Sequence, residues 1–516
     1  MGKLFGDRKT VLRGSAGMTY DRVSGAVLFI QNQVDYIFQN SASTLFGNSS
    51  PTTALLTDPR FTTVSTVPAP VITTPPVITK PFTPFVTAGV PNGDSGAQFN
   101  YTIDHNFKTP YSYLFDFGVQ RELPGNHLLD ISYVGRLGRA LFVQSDVAQV
   151  MNFKDPASGQ FLFDAFNNLQ AQIAAGATST TVTPIAWIEN QMGAAIAANF
   201  GQTCAARFGG LSCTGKLLSQ FNATILRGDT ADLIQAMDTT ANKYLLHNVG
   251  LSGQFAGNLY ITNQGRSSYH GLLVTLRKRF SHGYQYDINY TYSKSLDNNS
   301  TVANTVSGGL VCDVLNPDRC RAPSDFDLRH VFNANFIANV PIGRGRLVGH
   351  DMNKWLDAFI GGWSFSGIIQ GRSGVPFGPS PSAGSFPIGF NFSSPAVVTS
   401  TSNFGVQVHD VGTSIQYFSD PTAAQTSLRD PHHGEIGARN FFHGPSFWDA
   451  DLGLSKKITP FWSENQAFTL RVDAFNALNK NYFSTPNVTR LGSTFGVVSS
   501  SASSPRELQF ALRWDF

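Results

Sequence analysis

The sequence predicts an all-β protein, an antiparallel transmembrane β-barrel with long and partly helical extracellular loops. Three observations support that fold class. Apolar and polar residues alternate along many segments, which is the period of a strand with one apolar and one polar face. The connections between these segments are alternately short and long. No apolar stretch approaches the roughly 20 residues that a membrane-spanning helix needs, so strands are the elements that would cross a membrane.

Ten segments follow the strand period. In the clearest, Gly283–Ser293, Tyr or Ile occupies every second position and polar residues fill the positions between them. A strand of about ten residues, tilted near 45°, crosses a hydrocarbon layer of roughly 25 Å. The predicted strands are Thr10–Tyr20, Tyr111–Arg121, His127–Gly135, Ser268–Phe280, Gly283–Ser293, His330–Val340, Trp363–Gly371, Phe447–Lys456, Gln466–Asn476 and Arg506–Phe516.

The alternation of short and long connections favours a barrel over a soluble β-sandwich. An outer-membrane barrel has short turns on the periplasmic side and long loops outside, whereas a sandwich has no reason to segregate them. If the last strand ends on the periplasmic side, every long connection falls outside. The short connections are Glu122–Asn126, Ser281–His282 and Lys457–Asn465, the long ones are Asp21–Pro110, Arg136–Ser267, Lys294–Arg329, Arg372–Ser446 and Lys480–Pro505, and Pro341–Gly362 is intermediate.

The last predicted strand has a strongly aromatic face. Leu508, Phe510, Leu512, Trp514 and Phe516 share that face, and polar residues occupy most of the other. Terminal residues of soluble proteins tend to fray, so an apolar strand here indicates a partner, and lipid suits the aromatic face. We expect these five residues to act as the signal for the barrel assembly machinery. The alternative is one amphipathic strand of a soluble sandwich.

Four charged residues near the end of the chain are expected to face the lumen of the barrel. They are Asp449, Asp451, Arg471 and Asp473. An Arg that faced lipid at mid-depth would cost about 2–4 kcal/mol, so the polar face must turn inward. There the charges would bind a plug or line a passage. Alternatively, they are solvated or paired across neighbouring strands.

The four cysteines all lie in predicted outside loops. Cys204 and Cys213 share one loop, and Cys312 and Cys320 share another. Each pair is close enough for a local disulfide, worth about 2–3 kcal/mol in an oxidising compartment. A zinc site would need more ligands at tighter spacing.

The largest of these loops, residues 136–267, carries predicted helices. Its Ala, Leu, Ile and Gln content indicates helices over Asp164–Ala174, Ile185–Phe200 and Thr230–Tyr244. Such a folded loop would serve as a lid or receptor surface, or it is ordinary loop elaboration. Recurrent prolines predict an extended segment at Val67–Phe85.

Composition argues against several classes of function. Only 14% of the 516 residues are charged and the net charge is +3, so no basic patch indicates a nucleic-acid partner. We find no nucleophile–base pair, phosphate loop or cofactor fingerprint, and therefore expect neither an enzyme nor a bound cofactor. His432, His433 and Glu435 are metal-ligand types, but in a Gly/Pro-flanked loop such residues are more often solvent-exposed, and we expect no metal site.

Several short motifs resemble the Oar-like TonB-dependent receptors of the outer membrane. Each motif is weak alone, but together they are specific, and the resemblance covers Lys9 to Phe516. The motifs are Gly118–Gly125, Tyr269–Leu272 leading into Lys278–Gly283, Tyr290–Asp297, Ser324–His330, Gly361–Trp363, Gly371–Phe377, Gly437–Asn440 and Phe475–Asn479.

The resemblance implies a barrel of 22 strands around an N-terminal plug, driven by the TonB complex of the inner membrane. The chain departs from that pattern, because Met1–Arg8 has no apolar secretory region and no plug precedes the strands. We therefore expect residues 1–516 to be the C-terminal part of a longer receptor barrel. A closed barrel of ten strands is the alternative, since even strand numbers from eight upward occur.

Two functions follow from the resemblance and the loops. The first is uptake across the bacterial outer membrane of a substrate too large or too scarce for diffusion through porins. The second is a structural or adhesive surface barrel that binds a partner without transport. A ferric siderophore, an oligosaccharide, a peptide and a protein all remain possible substrates.

Overall fold

The computed structural model describes residues 9–21, 99–104, 106–147, 149–239, 241–246, 257–300, 310–389, 391–412, 414–459 and 466–516. A large sheet forms its body, and ten strands follow one another in it, each antiparallel to the next. The proline-rich segment Val67–Phe85 lies outside these residues. The strands are β1 (Thr10–Tyr20), β2 (Tyr111–Leu123), β3 (His127–Asp146), β4 (Gly257–Ser281), β5 (Tyr284–Asp297), β6 (His330–Asn339), β7 (Trp363–Arg372), β8 (Phe447–Ile458), β9 (Ala467–Phe475) and β10 (Glu507–Asp515).

All ten predicted strands are present, but β3 and β4 are longer than the sequence predicts. They remain paired as far as Asp146 and Leu259, beyond register shifts around Leu141. Ala140 has a φ of 52° at this bulge. A bulge interrupts the two-residue period, so the sequence pattern ends there while the strand continues.

Short strands also occur within the long connections. One of them, Phe99–Ile103, pairs in parallel with the start of β4 in a region where the sequence predicts only a loop. The others are Ala322–Pro323 beside β5, Pro376–Phe377 with Phe442–His443, Val397–Val398 with Leu428–Arg429, and the group Val406–Asp410, Ile415–Phe418 and Val497–Val498.

Five helices form a folded unit in the connection between β3 and β4, and we refer to residues 149–239 and 241–246 as the helical insertion. In the later connections, the described residues form two further helices and one 3-10 turn, Pro317–Cys320. Among the described residues, no helix has both the length and the apolar character to cross a membrane. The helices are α1 (Leu162–Ala174), α2 (Ala186–Phe200), α3 (Cys204–Arg207), α4 (Cys213–Leu226), α5 (Thr230–Met237), α6 (Lys354–Ile360) and α7 (Pro421–Thr426).

The helix predicted over Thr230–Tyr244 ends at Met237, so the prediction is wrong for its last turns. The side chain of Asn242 donates to Ala236 O at 2.6 Å, and the Asn242 N–H donates to Thr239 Oγ1 at 3.3 Å. Such local side-chain bonds offer the backbone an alternative to the helix.

Strand register divides the sheet into an apolar face and a polar face. Phe510 pairs with Val472, which pairs with Leu454, and that line continues on the same face through Phe365 and Ala338. Leu508, Leu512 and Trp514 share this face because side chains alternate along a strand. We call it the apolar face and the opposite one the polar face.

The apolar face of the sheet is exposed, and the main hydrophobic core lies elsewhere. Phe510 and Leu512 are 71% and 72% exposed. Fully buried large side chains such as Trp187 and Phe166 lie in the helical insertion. An exposed apolar band on a sheet with a polar opposite face is the pattern of a strand surface that contacts lipid.

The described parts of the long connections lie at one end of the sheet, opposite the short turns. There, the connections that follow β7 and β9 share an aromatic core around Phe418, Phe442 and Phe495. In the described part of the chain, β1 and β10 are the two ends of a linear strand order and do not pair with each other. The described strands therefore do not close into a ten-stranded barrel.

Candidate functional site

A cavity of about 830 Å³ lies at the end of the sheet where the long connections meet. It is lined mainly by the connection between β5 and β6 and by the connection between β7 and β8. Three arginines, Arg319, Arg321 and Arg439, line it together with Asp325 and the Cys312–Cys320 disulfide. The cavity is therefore lined by positively charged arginines, and a disulfide cross-links part of its wall.

Arg439 and Asn440 join the two connections. The Arg439 guanidinium donates to Asp297 O at 2.9 Å and to the Asp297 carboxylate, at the end of β5. Asn440 adopts a φ of 56°, and its side chain donates to Pro323 O at 2.8 Å and to Asp325 Oδ1 at 2.6 Å. These bonds hold the wall of the cavity against the end of the sheet.

Gly437 is required by the close approach of two backbone segments beside the cavity. A Cβ atom at this position would lie 2.1 Å from Pro395 O, far inside contact distance. A side chain here would therefore push apart the segments that carry Pro395 and Arg439, and would change the shape of the cavity.

The three arginines differ in how far their charge is neutralised. Arg319 Nη1 lies 2.9 Å from the Asp313 carboxylate, and Arg439 is paired with Asp297. Arg321 donates to the Ser268 hydroxyl at 2.9 Å, and in the described part of the chain no carboxylate forms an ion pair with it. Although burial opposes ionisation, hydrogen bonds from Gln149 and Arg319 lower the pKa of Asp313, so that it is charged at neutral pH. Arg321 is thus the arginine best placed to bind an anionic group.

A second cavity, of about 530 Å³, lies on the polar face of the sheet and contains three of the four charges expected to face the lumen. Asp451, Arg471 and Asp473 line it. Arg471 Nε donates to both carboxylate oxygens of Asp473, at 2.7 and 3.0 Å. Asp449 pairs with Gln370 and Asp451 pairs with Ile368, so the two aspartates are two residues apart in β8 and lie on the same face. Asp449 does not line this cavity.

Both expected disulfides are present in the structure. Cys204–Cys213 links the starts of α3 and α4 inside the helical insertion, and its Cα atoms are 5.3 Å apart. Cys312–Cys320 closes a loop in the wall of the larger cavity, with Cα atoms 5.8 Å apart.

His432 and His433 attach the connection before β8 to the helical insertion. His433 is buried, its Nδ1 lies 2.9 Å from Thr230 Oγ1, and its Nε2 lies 3.1 Å from Ile225 O. His432 Nδ1 bonds Gln170 of α1, and Glu435 forms two hydrogen bonds with Arg429. Within the described residues, no group of three or more His, Cys, Asp or Glu side chains is arranged to hold a metal ion.

We expect His433 to make the helical insertion less stable in acid. Burial lowers the pKa of His433 to about 3, from an ordinary value of 6.5. The unfolded chain takes up the proton near pH 6.5 and the folded chain only near 3, so stability falls as the pH drops through this window. Relative to His433→Gln, the wild type should lose at most about 1.4 kcal/mol per pH unit, measured by urea unfolding.

The comparison with His433→Gln separates this effect from that of the neighbouring Asp229. Burial and the adjacent Asp232 raise the pKa of Asp229 to about 7. Protonated Asp229 stabilises the fold at pH values below 3.8, its ordinary pKa. This contribution is lost as the pH rises through 7, so its pH dependence is opposite to that of His433. Both proteins keep Asp229. A stability difference that stayed constant between pH 6.5 and 3 would contradict the prediction for His433.

Apart from the disulfide cysteines Cys312 and Cys320, the residues of the larger cavity received no role from the sequence. Asn440 and Asp325 occur in two motifs of the family resemblance, but they are 115 positions apart, so no local spacing relates the two motifs. The signal that could have found them is the presence of two polar motifs in separate outside loops, each next to a strand end.

The exposed apolar face, the polar opposite face, and the segregation of long and short connections define a membrane-spanning β-barrel protein of the outer-membrane class. The chain belongs to the family described as the outer membrane beta barrel domain, whose model matches residues 3–509. The protein is therefore located in the bacterial outer membrane.

Several solved outer-membrane proteins are similar to the chain. The outer-membrane transporter YddB from Escherichia coli has 12% identity and a TM-score of 0.33, over 82% of this chain and 34% of that one. The ferric-catecholate import receptor Fiu from Escherichia coli K12 has 8% identity and a TM-score of 0.28, over 80% and 28%. The siderophore receptor PirA from Acinetobacter baumannii has 8% identity and a TM-score of 0.29, over 79% and 32%.

The chain spans about a third of the length of these solved proteins. No curated protein matches its sequence.

Proposed function

We propose that the protein is the barrel portion of a TonB-dependent outer-membrane transporter, and that its larger cavity captures a substrate carrying anionic groups. The observation that carries this proposal is the cavity itself. It is formed by the long connections, and three arginines line it. Capture by loops at one end of a barrel suits a large or scarce substrate that cannot diffuse through a porin.

Arginine supports an anionic substrate because its planar guanidinium donates paired hydrogen bonds to carboxylates and similar oxygens. Arg321 supplies such a group without a carboxylate partner among the described residues, whereas Arg319 and Arg439 are already paired. Substrate oxygens would replace the Ser268 hydroxyl as its partner. An acidic siderophore, oligosaccharide or peptide would satisfy this chemistry.

The charges on the polar face support passage beyond the capture site. Asp451, Arg471 and Asp473 lie on the face that would line a lumen, where mixed charge favours water and polar solutes over lipid. We propose that this surface contacts either a plug domain or the moving substrate. The TonB complex as the energy source rests on the family resemblance alone.

We expect uptake to depend on Arg321. Cells producing the wild type, here the complete transporter that contains this barrel portion, should accumulate at least one of four labelled probes, a ferric siderophore, an acidic oligosaccharide, a peptide or a small protein, and a protonophore should abolish accumulation. Arg321→Ala should raise the concentration for half-maximal uptake about tenfold, the equivalent of about 1.4 kcal/mol. Arg266→Ala is the matched control, since Arg266 does not line the cavity and its ion pair with Asp318 is exposed.

The same cells distinguish transport from adhesion. Surface binding that is unaffected by the protonophore and without accumulation would favour a structural or adhesive barrel. Equal uptake by the wild type and Arg321→Ala would show that the cavity is not the capture site.

A further inference from the structure

Helix α6 presents four large apolar side chains to its surroundings. It lies in the connection between β6 and β7, at the end of the sheet that also carries the short turns. Trp355 and Phe359 are 78% and 77% exposed, and Leu356 and Ile360 are 51% and 42% exposed. Residues four apart lie on the same side of a helix, so these four form one continuous apolar stripe.

The other side of α6 is tied to its own connection. Asn353 caps the helix by accepting a hydrogen bond from the Trp355 N–H at 3.0 Å. The Asp357 carboxylate accepts one from the Arg344 N–H at 2.7 Å. With its polar side engaged in this way, the helix is fixed with its apolar stripe facing outward.

Two side chains of the apolar face hold the carboxyl end of α6. Trp363 Nε1 donates to Phe359 O at 3.1 Å. Lys456 Nζ donates to Asp357 O at 3.4 Å and to Gly361 O. Trp363 and Lys456 are paired in the register of β7 and β8, on the face that carries Leu454 and Phe510. Helix α6 therefore continues the apolar face at its rim.

The surroundings of Lys456 indicate the level in the membrane at which this rim lies. It is 5% exposed, and its ammonium group lies 5.4 Å from the centre of the Trp363 ring. Lys278 repeats the arrangement on the same face, with its Nζ 2.9 Å from Ser281 O and 4.0 Å from the centre of the Tyr284 ring. Lysines that turn toward polar atoms beside Trp and Tyr are typical of the level of lipid headgroups.

We propose that α6 is an interfacial anchor whose apolar stripe inserts among phospholipids of the leaflet on the short-turn side of the membrane. A helix of seven residues is too short to be stable in water alone. The sheet holds one end of it, and lipid would cover the stripe, as it covers other amphipathic helices at membrane interfaces. This inference does not depend on transport, and a phospholipid surface is the occupant because the stripe is continuous with the lipid-contacting face.

The test places a fluorophore on the stripe. All four native cysteines are in disulfides, so Phe359→Cys can be labelled selectively with the environment-sensitive dye NBD in the full chain, reconstituted in phosphatidylcholine vesicles. We expect nitroxides near the headgroup to quench this dye roughly twofold more than nitroxides deep in the acyl chains. Asp351→Cys is the matched control, because Asp351 is exposed and precedes the helix. Iodide in the water should quench the control roughly threefold more strongly than position 359.

Two results would overturn the inference. Equal iodide quenching at positions 351 and 359 would place the stripe in water. Protection of position 359 from both iodide and lipid nitroxides would assign it to a protein contact, with a second copy of the chain as the occupant. Trp355→Cys, on the same stripe, repeats the measurement if the Phe359 variant does not fold.

Discussion

Trp187→Ala is expected to lower the free energy of unfolding of the helical insertion by about 3–5 kcal/mol, the usual cost of removing a buried aromatic side chain. Trp187 is fully buried, and its ring centre lies 5.2 Å from that of Phe153 and 5.6 Å from that of Phe166. The insertion has its own core, so the loss should be local. Limited proteolysis should cut the insertion more than about 100-fold faster, because cleavage tracks the population of the open form.

Trp187→Phe is the matched control. The indole Nε1 is buried without a hydrogen-bond partner, so replacing it removes an unpaired donor while a ring still fills most of the space. We expect a cost below about 1.5 kcal/mol. If Trp187→Ala left the insertion as resistant to protease as the wild type, the packing around this side chain would not be what stabilises it.

The strands could be predicted because each one has an apolar surface on one face and water on the other along its whole length. This requirement imposes a two-residue period that is visible in the sequence, as in β5 and β10. The prediction failed where the period is interrupted. At Ala140 the backbone turns to a φ of 52°, and the rest of β3 no longer alternates in step with its first half.

Helix α4 could not be predicted from local preference. It begins at Cys213, includes Gly215, and has a non-helical φ of −125° at Phe221. Its stability comes from the Ser212 cap, which accepts a hydrogen bond from the Gly215 N–H at 2.9 Å, and from the burial of Leu217 and Ile225. Tertiary packing of this kind overrides intrinsic propensity.

The candidate site was only partly predictable, for a related reason. The common face of Asp449, Asp451, Arg471 and Asp473 follows from alternation within two strands, and register in the structure agrees with it. The larger cavity depends on contacts between separate loops, such as that between Asn440 and Asp325. No periodic pattern records which loops meet. That information arises only when the strands bring their ends together.

The assignment of the two faces leads to the second large expected effect, in β10. We expect Phe510→Arg to destabilise the protein in phospholipid vesicles by about 2–4 kcal/mol, because an arginine that faces lipid near mid-depth cannot be solvated there. Phe510 lies near the centre of β10 and is 71% exposed on the apolar face. The free energy would be measured by guanidinium unfolding, monitored by the loss of heat-modifiable mobility on gels.

Gln509→Arg provides a control one residue away. Gln509 pairs with Asp473 on the polar face, where a guanidinium would lie in water beside the ion pair that the exposed Arg471 forms with Asp473, so we expect a change within about 0.5 kcal/mol. The two variants carry the same side chain at almost the same depth and differ only in the face it occupies. Equal destabilisation by both would contradict the assignment of lipid and lumen to the two faces, and a larger effect at position 509 would reverse it. A loss confined to Phe510→Arg is the result expected if the aromatic face of β10 contacts the hydrocarbon layer and the opposite face contacts water.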